Sequence, residues 1–396
     1  MGHTGGMDGE TAPAAGDPAM PRPGETERNR RWAATMAGHG ADGVTFAHSD
    51  SHAVTGADVP TAGFDRSARE ELEGDQLAPG ATRAVGAGRR LRAEEPDPWR
   101  TCFERDRDRI LHAPSFRRLA GKTQVFVFPD DHQRTRLSHA LEVAQVAGGI
   151  ARAIGLNVTL AEAIALGHDC GHGPGGHASE DALEPYVEGG FDHAPWGATV
   201  SLASLNLCEE TLDGIANHSW SRPAPTTPEG EVVSWADRIG YVCHDFEDAV
   251  IDGIVAPDEL PAIVQDRCGT TRSAQLGAFI DAVVATTLAT GMVGMDDGQA
   301  EALAAFRAFN YERIYLREAS VTQGEAVVAV LRALVEHFAK HPDEVAEHGG
   351  ALGSPDEDPT FAAVRYVSGM TDRFAFRTAV AVLDWPADRL PRGIDR

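Results

Sequence analysis

The sequence predicts a mainly α-helical bundle with at most a small β-hairpin and a C-terminal helical extension. Apolar residues recur at helical spacing over long segments, among them 137–156 and 231–251. No alternation of strands with helices is visible, and no internal repeat stands out. With 396 residues, of which 42% are hydrophobic, the chain is long and apolar enough to bury a sizeable core. We therefore expect a globular protein.

Composition divides the chain into three predicted regions. Residues 1–97 are rich in Gly, Ala, Pro, Thr, Asp and Glu and lack sustained apolar periodicity, so we predict a disordered or loosely ordered extension. Order begins near Trp99, and we place the core of the fold at residues 98–256. Helical periodicity continues through residues 257–396, which we expect to pack on that core.

Short elements are predicted at the start of the core region. Residues 103–112 mix apolar and charged side chains at helical spacing until Pro114 interrupts them. Residues 116–129 then pass from a basic turn into a β-branched and aromatic run, which favours a small strand or one arm of a hairpin. This run is our candidate for a minor sheet.

Helices account for the rest of the predicted fold. A helix over 137–156 is followed by one that leads into His168, and Thr159 with Glu162 three residues later is typical of a capping box at its start. Further helices are predicted at 178–187, 201–215, 231–251, 274–289, 298–310, 323–340 and 361–383.

Charge and cysteine content exclude several classes of function. The formal net charge of −25 argues against general coating of nucleic acid, which needs clustered Lys and Arg, although binding of a single strand stays open. The five cysteines form no Cys-x-x-Cys pair, so neither a zinc ribbon nor a disulfide framework is indicated and a reducing cytoplasm fits best. No uninterrupted apolar run has membrane-spanning length, and no signal peptide is recognisable. We expect a cytoplasmic protein without a membrane anchor.

The stretch 160–177 carries the most chemistry. An apolar helix delivers the adjacent His168 and Asp169, and glycines and a proline then carry His172 and His177. A single His or Asp on a helix is more often a surface or satisfied core residue than a ligand. The adjacency of the two at the end of an apolar helix favours a site, because a buried carboxylate needs a partner or a metal.

His139 on the preceding helix and Asp237 on a later one supply donors that would complete this pair. Two imidazoles and two carboxylates make a mixed nitrogen and oxygen site with open positions for water and substrate. Such a site suits a divalent ion such as Mn²⁺, Fe²⁺, Co²⁺ or Mg²⁺, whereas thiolate-preferring metals fit it less well.

The order His139, His168-Asp169, Asp237 resembles the H…HD…D signature of the HD-domain phosphohydrolases. More narrowly, the chain resembles the deoxynucleoside triphosphate triphosphohydrolases, of which dGTPase is the type. The resemblance runs from about Phe103 to Ala375 and rests on an ordered series of stretches: Phe103-Glu-Arg-Asp-Arg, Phe116-Arg-Arg-Leu-Ala-Gly-Lys-Thr-Gln-Val-Phe, Arg134-Thr-Arg-Leu-Ser-His-Ala-Leu-Glu-Val-Ala-Gln, His168-Asp-Cys-Gly-His-Gly-Pro-Gly-Gly-His, Gly189-Gly-Phe-Asp-His, Ala236-Asp-Arg-Ile-Gly-Tyr-Val-Cys-His-Asp and Ser368-Gly-Met-Thr-Asp-Arg-Phe-Ala.

The resemblance implies an HD-domain helical bundle that holds one divalent ion per site. The implied ligands are His139, His168, Asp169 and Asp237, and the implied catalytic residues are His177, Glu180, His172 and His193. Positions 177 and 180 also share one face at a helix start, so Glu180 can orient the imidazole of His177 as a proton donor.

The resemblance also implies substrate-binding residues. Arg136 matches a phosphate-binding arginine, Gln124 a residue near the sugar or base, and Tyr241 a tyrosine that abuts the deoxyribose. Two alternatives stay open: Arg136 as an exposed arginine at a helix start, and Tyr241 as a packed core residue. Lys122 would supply positive charge to the site or belong to a solvated basic turn.

Three departures from the family pattern affect substrate recognition more than metal binding. Gly173-Pro-Gly-Gly-His177 stands where the family usually has Pro-Pro-Phe-Gly-His, which removes an aromatic residue and loosens the loop. Ala194-Pro-Trp follows His193 in place of Asn-Ala-Gln, and the segment 214–231 is short. The preference for dGTP over other nucleotides therefore stays open.

The activity that the resemblance implies is cleavage of dGTP or another (deoxy)nucleoside triphosphate to nucleoside and inorganic triphosphate. Two alternatives stay open: an HD phosphohydrolase acting on a monophosphate or a signalling nucleotide, and a nucleotide-sensing regulatory protein with little turnover. The resemblance also implies a homo-oligomer.

Overall fold

The computed structural model describes residues 26–34, 38–41, 43–51, 63–348 and 357–392. This part of the chain is mainly α-helical, which confirms the predicted fold class. Its helices are α1 (Glu27–Ala34), α2 (Arg66–Gln76), α3 (Cys102–His112), α4 (Pro114–Arg118), α5 (Arg136–Ile154), α6 (Val158–Gly167), α7 (Ala178–Leu183), α8 (His193–Trp196), α9 (Glu209–Asn217), α10 (Pro228–Ile251), α11 (Ala262–Cys268), α12 (Arg272–Thr290), α13 (Asp297–Asn310), α14 (Glu318–Lys340), α15 (Pro342–Glu347), α16 (Pro359–Ser368) and α17 (Asp372–Leu383). Short 3₁₀ or π turns lie at Leu119–Gly121, Glu184–Tyr186, Gly197–Ser201, Ala203–Leu205, Pro257–Glu259, Tyr311–Tyr315 and Ala387–Arg389.

A small antiparallel hairpin lies in the first of two compact units, which comprises residues 1–63. Strand β1 (His39–Ala41) pairs with β2 (Val44–Phe46), and His39 stands opposite Phe46. The second unit comprises Phe64–Arg396 and contains α2 to α17.

The strand predicted within 116–129 does not form. Pro114 begins the short helix α4, and a single bridge between Thr123 and Thr135 is the only ladder contact described there. The backbone N–H of Thr123 donates instead to the carboxylate of Asp372 at 3.0 Å. A side chain distant in sequence therefore satisfies the backbone that we expected a neighbouring strand to pair.

Within the second unit, polar contacts tie residues 64–97, which we expected to be loosely ordered, to the helices that follow. The backbone N–H and the hydroxyl of Thr82 donate to Glu229 at 3.0 and 2.7 Å. Arg90 forms a buried ion pair with Asp106 at 2.6 Å. Apolar periodicity does not reveal such anchors, because they depend on charged side chains whose partners lie far away in the sequence.

Helix α6 is the central element of the second unit. Seven of its ten residues, all of them apolar or Gly, are buried, and it packs against α3, α5, α9 and α10. The capping box predicted at Thr159 is wrong: the helix begins earlier, and the side chain of Asn157 accepts a hydrogen bond from Leu160 N–H at 3.2 Å. Because α6 ends at Gly167, it delivers His168 and Asp169 into the interior.

Two apolar clusters form the core. The larger one surrounds α6 and extends from Ala81 to Ile314, so helices on both sides of residue 256 share it. The smaller one joins α14, α16 and α17 to α7 and α8. The domain boundary at 256/257 stays a prediction, and the packing shows that the core is continuous across it. The helix predicted at 361–383 is divided into α16 and α17.

Helix α12 (Arg272–Thr290) is the one helix in the described part of the chain with the length and mean hydropathy, 1.2, of a candidate membrane span. Asp281 interrupts its apolar run, and its buried residues Gln275, Phe279 and Val283 face the core. A single helix of this kind is weak evidence for a membrane protein, because helices that flank a core have similar composition.

Candidate metal centre and catalytic loop

The structure brings the four predicted metal ligands together. His139 on α5 and His168 after α6 place their Nε2 atoms 3.0 and 3.6 Å from the same Asp237 oxygen on α10. Asp169 lies 3.5 Å from His168 Nε2 and 4.0 Å from His139 Nε2. The side chain of Asp237 is 20% exposed, whereas the other three are almost fully buried. The cluster therefore opens on the Asp237 side.

The hydrogen bonds of His168 test whether these residues fit a metal. Its Nδ1 lies 2.6 Å from the carbonyl oxygen of Ala165, so Nδ1 carries the proton and Nε2 carries a lone pair. Nε2 is buried and has no hydrogen-bond partner among the described residues. A lone pair directed at two carboxylates fits a cation between them.

The two carboxylates stay ionised in this setting. Burial raises the pKa of Asp169, but the Arg136 guanidinium and His168 outweigh burial and hold it well below its usual range. Burial likewise raises the pKa of Asp237, but the hydrogen bond with His139 and the neighbouring His168 imidazole lower it well below the usual value. The donor set thus carries two negative charges, which suits a divalent ion.

Arg136 is a buried residue at the edge of this cluster, which excludes the alternative of an exposed arginine. Its Nη1 donates to Asp169 at 2.8 Å, while its Nε and Nη2 are buried without hydrogen-bond partners among the described residues. Unpaired buried N–H groups are costly unless a ligand accepts from them. Arg136 therefore suits an anion bound beside the metal ligands.

His177 and Glu180 do not pair as predicted. His177 is the first residue before α7, and it is exposed, with its ring 5.2 Å from that of His172. Glu180 accepts hydrogen bonds instead from Nδ1 of His193 at 2.7 Å and from its backbone N–H at 3.1 Å. Helix α7 is short, and α8 begins at His193. The Glu180 carboxylate therefore lies at the N-terminus of α8 and binds His193 there, not His177. Glu180 thus orients His193.

His172 and His193 lie against one another beside the metal ligands. Their rings stack 3.7 Å apart with an interplanar angle of 15°. His172 Nε2 is 3.3 Å from Asp169, and burial followed by the Arg136 charge lowers its pKa well below the ordinary value. The predicted catalytic histidines therefore border the same space as the metal ligands.

The sequence reasoning missed His218. It follows α9, is buried, and places Nε2 at 3.2 Å from His193 Nε2, with its ring 4.9 Å from that of His168. Burial and then the neighbouring His168 lower its pKa to about 3. Its one local signal was a histidine a few residues after the helix predicted at 201–215, which does not distinguish it from histidines outside the site.

Lys122 does not face the site. Its Nζ donates to the backbone carbonyls of His172 and Ser368, the latter at 3.0 Å, and the side chain is buried. Burial and then the charge of Arg118 lower its pKa to about 8. The alternative of a solvated basic turn is therefore wrong, and a contact of Lys122 with the substrate stays a prediction.

The other predicted substrate residues, Gln124 and Tyr241, are buried and half-buried. Gln124 is buried, and its Oε1 has no hydrogen-bond partner among the described residues. Tyr241 is half-buried, and its hydroxyl accepts from Nε of Arg307 at 2.8 Å. It lies one helical turn after Asp237 and packs against the larger core cluster. Its contact with a sugar stays a prediction.

Backbone conformation and close packing require glycine at two positions of the loop 173–176, and the loop is well packed. Gly175 and Gly176 have φ values of 74° and 63°, which favour glycine. A Cβ on Gly175 would lie 2.5 Å from Cγ1 of Val327, and one on Gly176 would lie 2.9 Å from Nη2 of Arg136. Gly175 N–H also donates to Asp372 at 2.8 Å. We expected the absence of an aromatic residue to loosen this loop. Close packing against Val327 and Arg136 and the hydrogen bond to Asp372 hold it instead.

Comparison with known proteins agrees with this geometry. The HD domain family model matches residues 136–241, and the model described as phosphohydrolase-associated domain matches residues 293–380. A deoxyguanosinetriphosphate triphosphohydrolase-like protein of Caldanaerobacter subterraneus is 38% identical over 78% of this chain and 93% of its own length. Proteins of the same description from Clostridium perfringens and Deinococcus radiodurans are 37% and 34% identical, over 77% and 81% of this chain and 92% and 99% of their own lengths. The chain therefore belongs to the deoxyguanosinetriphosphate triphosphohydrolase-like proteins, a family of HD-domain phosphohydrolases.

Proposed function

We propose that the protein is a metal-dependent hydrolase that converts a deoxynucleoside triphosphate, dGTP or another, to the deoxynucleoside and inorganic triphosphate. The observation that carries the proposal is the pairing of an ionised His/Asp cluster with Arg136, whose two buried N–H groups lack partners. A cation site beside an anion site suits a phosphate ester. The printed descriptions of the relatives supply the substrate class.

The residues that would hold the ion are His139, His168, Asp169 and Asp237, with one ion per site and Mn²⁺, Mg²⁺, Fe²⁺ or Co²⁺ as candidates. When bound, such an ion supplies Lewis acidity, which lowers the pKa of water and polarises a phosphoryl oxygen. Arg136 neutralises the adjacent phosphate charge through its unpaired Nε and Nη2, while its Nη1 stays on Asp169.

The proposed proton-transfer residues lie beside the same cluster. In the proposed reaction, water attacks the α-phosphorus and the bond to the 5′ oxygen breaks. His177, exposed at the mouth, donates a proton to the departing 5′ oxygen. Glu180 holds Nδ1 of His193, and Nε2 of His193 lies between His218 and Asp169, so His193 acts with His172 beside the reacting phosphate and the attacking water. Gln124 and Tyr241 contact the nucleoside.

A product assay tests the proposal. Purified protein with Mn²⁺ or Mg²⁺ is incubated with each of the four dNTPs, with nucleoside monophosphates and with signalling nucleotides, and the phosphate products are separated. We expect inorganic triphosphate from at least one dNTP and no activity after chelation of the metal. Release of pyrophosphate or orthophosphate would contradict the triphosphohydrolase assignment and favour another HD phosphohydrolase. Tight nucleotide binding without product, unaffected by His177→Ala, would favour a nucleotide sensor.

We further propose that the enzyme works in the cytoplasm as a homo-oligomer. All five cysteines are free, including Cys102 and Cys208, although Sγ of Cys208 lies 3.9 Å from the backbone oxygen of Cys102, which suits a reducing compartment. Light scattering of the purified protein gives the mass of the assembly, and the mass of a single chain would contradict the oligomer.

A further inference from the structure

A buried contact joins the loop 173–176 to the segment that begins α17. Asp372 is the first residue of α17 and is 3% exposed. One carboxylate oxygen accepts from Gly175 N–H at 2.8 Å, and the other accepts from the N–H and the hydroxyl of Thr123 at 3.0 and 2.5 Å. A single buried carboxylate therefore binds two segments that both border the site.

Lys122 reinforces the same contact. Its buried Nζ joins the carbonyl oxygen of His172, at the start of the loop, to that of Ser368, four residues before Asp372. The backbone segments around Gly121 and Thr371 also approach closely, since a Cβ on Gly121 would lie 2.9 Å from Cγ2 of Thr371. Both ends of the loop are thus fixed to one C-terminal segment.

His177 depends on this backbone for its position. Within the described part of the chain its ring has ring contacts with His172 and His193 but no side-chain hydrogen bond. Its partner predicted from the sequence, Glu180, binds His193 instead. The position of the His177 ring is therefore set by the loop that precedes it, and that loop is set by its two anchors.

We propose that Asp372, supported by Lys122, is a positioning residue that holds the loop 173–176 and thereby places His177 against the departing oxygen of the substrate. The expected effect on kcat rests on the proposed function. The anchoring itself does not depend on the identity of the substrate. The segment Ser368–Asp372 therefore contributes to catalysis without touching the reacting atoms.

The substitution Asp372→Asn tests the anchor with little change of shape. The amide nitrogen of Asn cannot accept a hydrogen bond, so one of the two segments loses its acceptor. We expect kcat to fall by about 10- to 100-fold, because a misplacement of about 1 Å has effects of this size, while KM stays within about threefold. Asp297→Asn is the matched control, since Asp297 is also the first residue of a helix but is exposed. It should leave kcat unchanged.

A double-mutant cycle separates positioning from a general loss of structure. If Asp372 acts through His177, Asp372→Asn should have no further effect on kcat in a His177→Ala background. Equal losses in both backgrounds would overturn the proposal. Thr123→Val is the second variant to use if Asp372→Asn fails to fold. It removes only the hydroxyl donor to Asp372, and we expect it to lower kcat by a smaller factor than Asp372→Asn.

Amide hydrogen exchange tests the anchor without any substrate. In the holoprotein, Asp372→Asn should increase exchange in the segment that contains Gly175 and His177 by about tenfold or more, while exchange in α6 stays unchanged. Unchanged exchange at Gly175 would overturn the anchor. If the wild type releases triphosphate from no nucleotide, the proposed function fails, whereas the exchange experiment still decides whether Asp372 holds the loop.

Discussion

The site has two sides: the proposed metal ligands His139, His168, Asp169 and Asp237 form the metal-ligand side, and the proposed proton donor His177 forms the proton-donor side. Different parts of the structure hold these two sides in place. His139, His168 and Asp237 lie on or directly after α5, α6 and α10, whose buried faces pack on one another. His177 instead follows a four-residue glycine loop that is anchored to Asp372, 197 residues after Gly175. The first side is determined mainly by helices, whereas the second is determined by contacts between segments distant in the sequence.

The largest expected effect is on the metal side. Asp169→Asn keeps the shape of the side chain but removes the charge that faces two imidazoles and Arg136. We expect loss of the bound metal and a fall in kcat/KM of about 1,000-fold or more, since the ion supplies both charge stabilisation and the nucleophile. Metal content by elemental analysis and triphosphate release measure the two effects.

Asp281→Asn on the exposed face of α12 is the matched control and should keep both metal and activity. Full metal content together with full activity in Asp169→Asn would show that this carboxylate is not a ligand, and the comparison between the two sides would then lose its basis.

The next effect is on the proton-donor side. His177→Ala removes an exposed imidazole that has no side-chain hydrogen bond in the described part of the chain. We expect kcat to fall by about 10²- to 10⁴-fold with metal content and folding stability unchanged. His112→Ala, at the exposed end of α3, is the control. Loss of metal in His177→Ala would contradict the separation of the two sides.

The smallest effect is expected at the nucleoside end. Tyr241→Leu removes the aromatic ring and the hydroxyl that accepts from Arg307 but keeps an apolar side chain. If the ring abuts the deoxyribose, KM should rise by about threefold or less and kcat should not change, because the lost interaction is uniform between ground and transition states. A lower melting temperature with unchanged KM would favour the alternative of a packed core tyrosine.

The sequence was informative where local pattern determines structure. The apolar period of α5, α6 and α10 predicted the helices that carry the metal ligands, and the structure brings those ligands together. Local pattern failed where a long-range contact decides the outcome. Lys122 looked like a basic turn, yet its ammonium lies between two buried carbonyls.

Glu180 and His218 show the same limit. Spacing correctly placed Glu180 one helical turn after His177, but its hydrogen-bond partner is on α8, which spacing within α7 cannot reveal. His218 enters the site because α9 packs against α6, and the sequence around it does not reveal that packing. Residues that a second element brings to the site were therefore the ones missed.

The most direct test of the central claim is the fate of the oxygen atom of water. The protein, loaded with Mn²⁺ or Mg²⁺, hydrolyses its preferred dNTP in ¹⁸O-labelled water, and the products are examined by ³¹P NMR and mass spectrometry. Attack at the α-phosphorus predicts one ¹⁸O atom in the inorganic triphosphate and none in the deoxynucleoside. Label in the 5′ hydroxyl of the nucleoside, or release of pyrophosphate with a labelled monophosphate, would contradict the account.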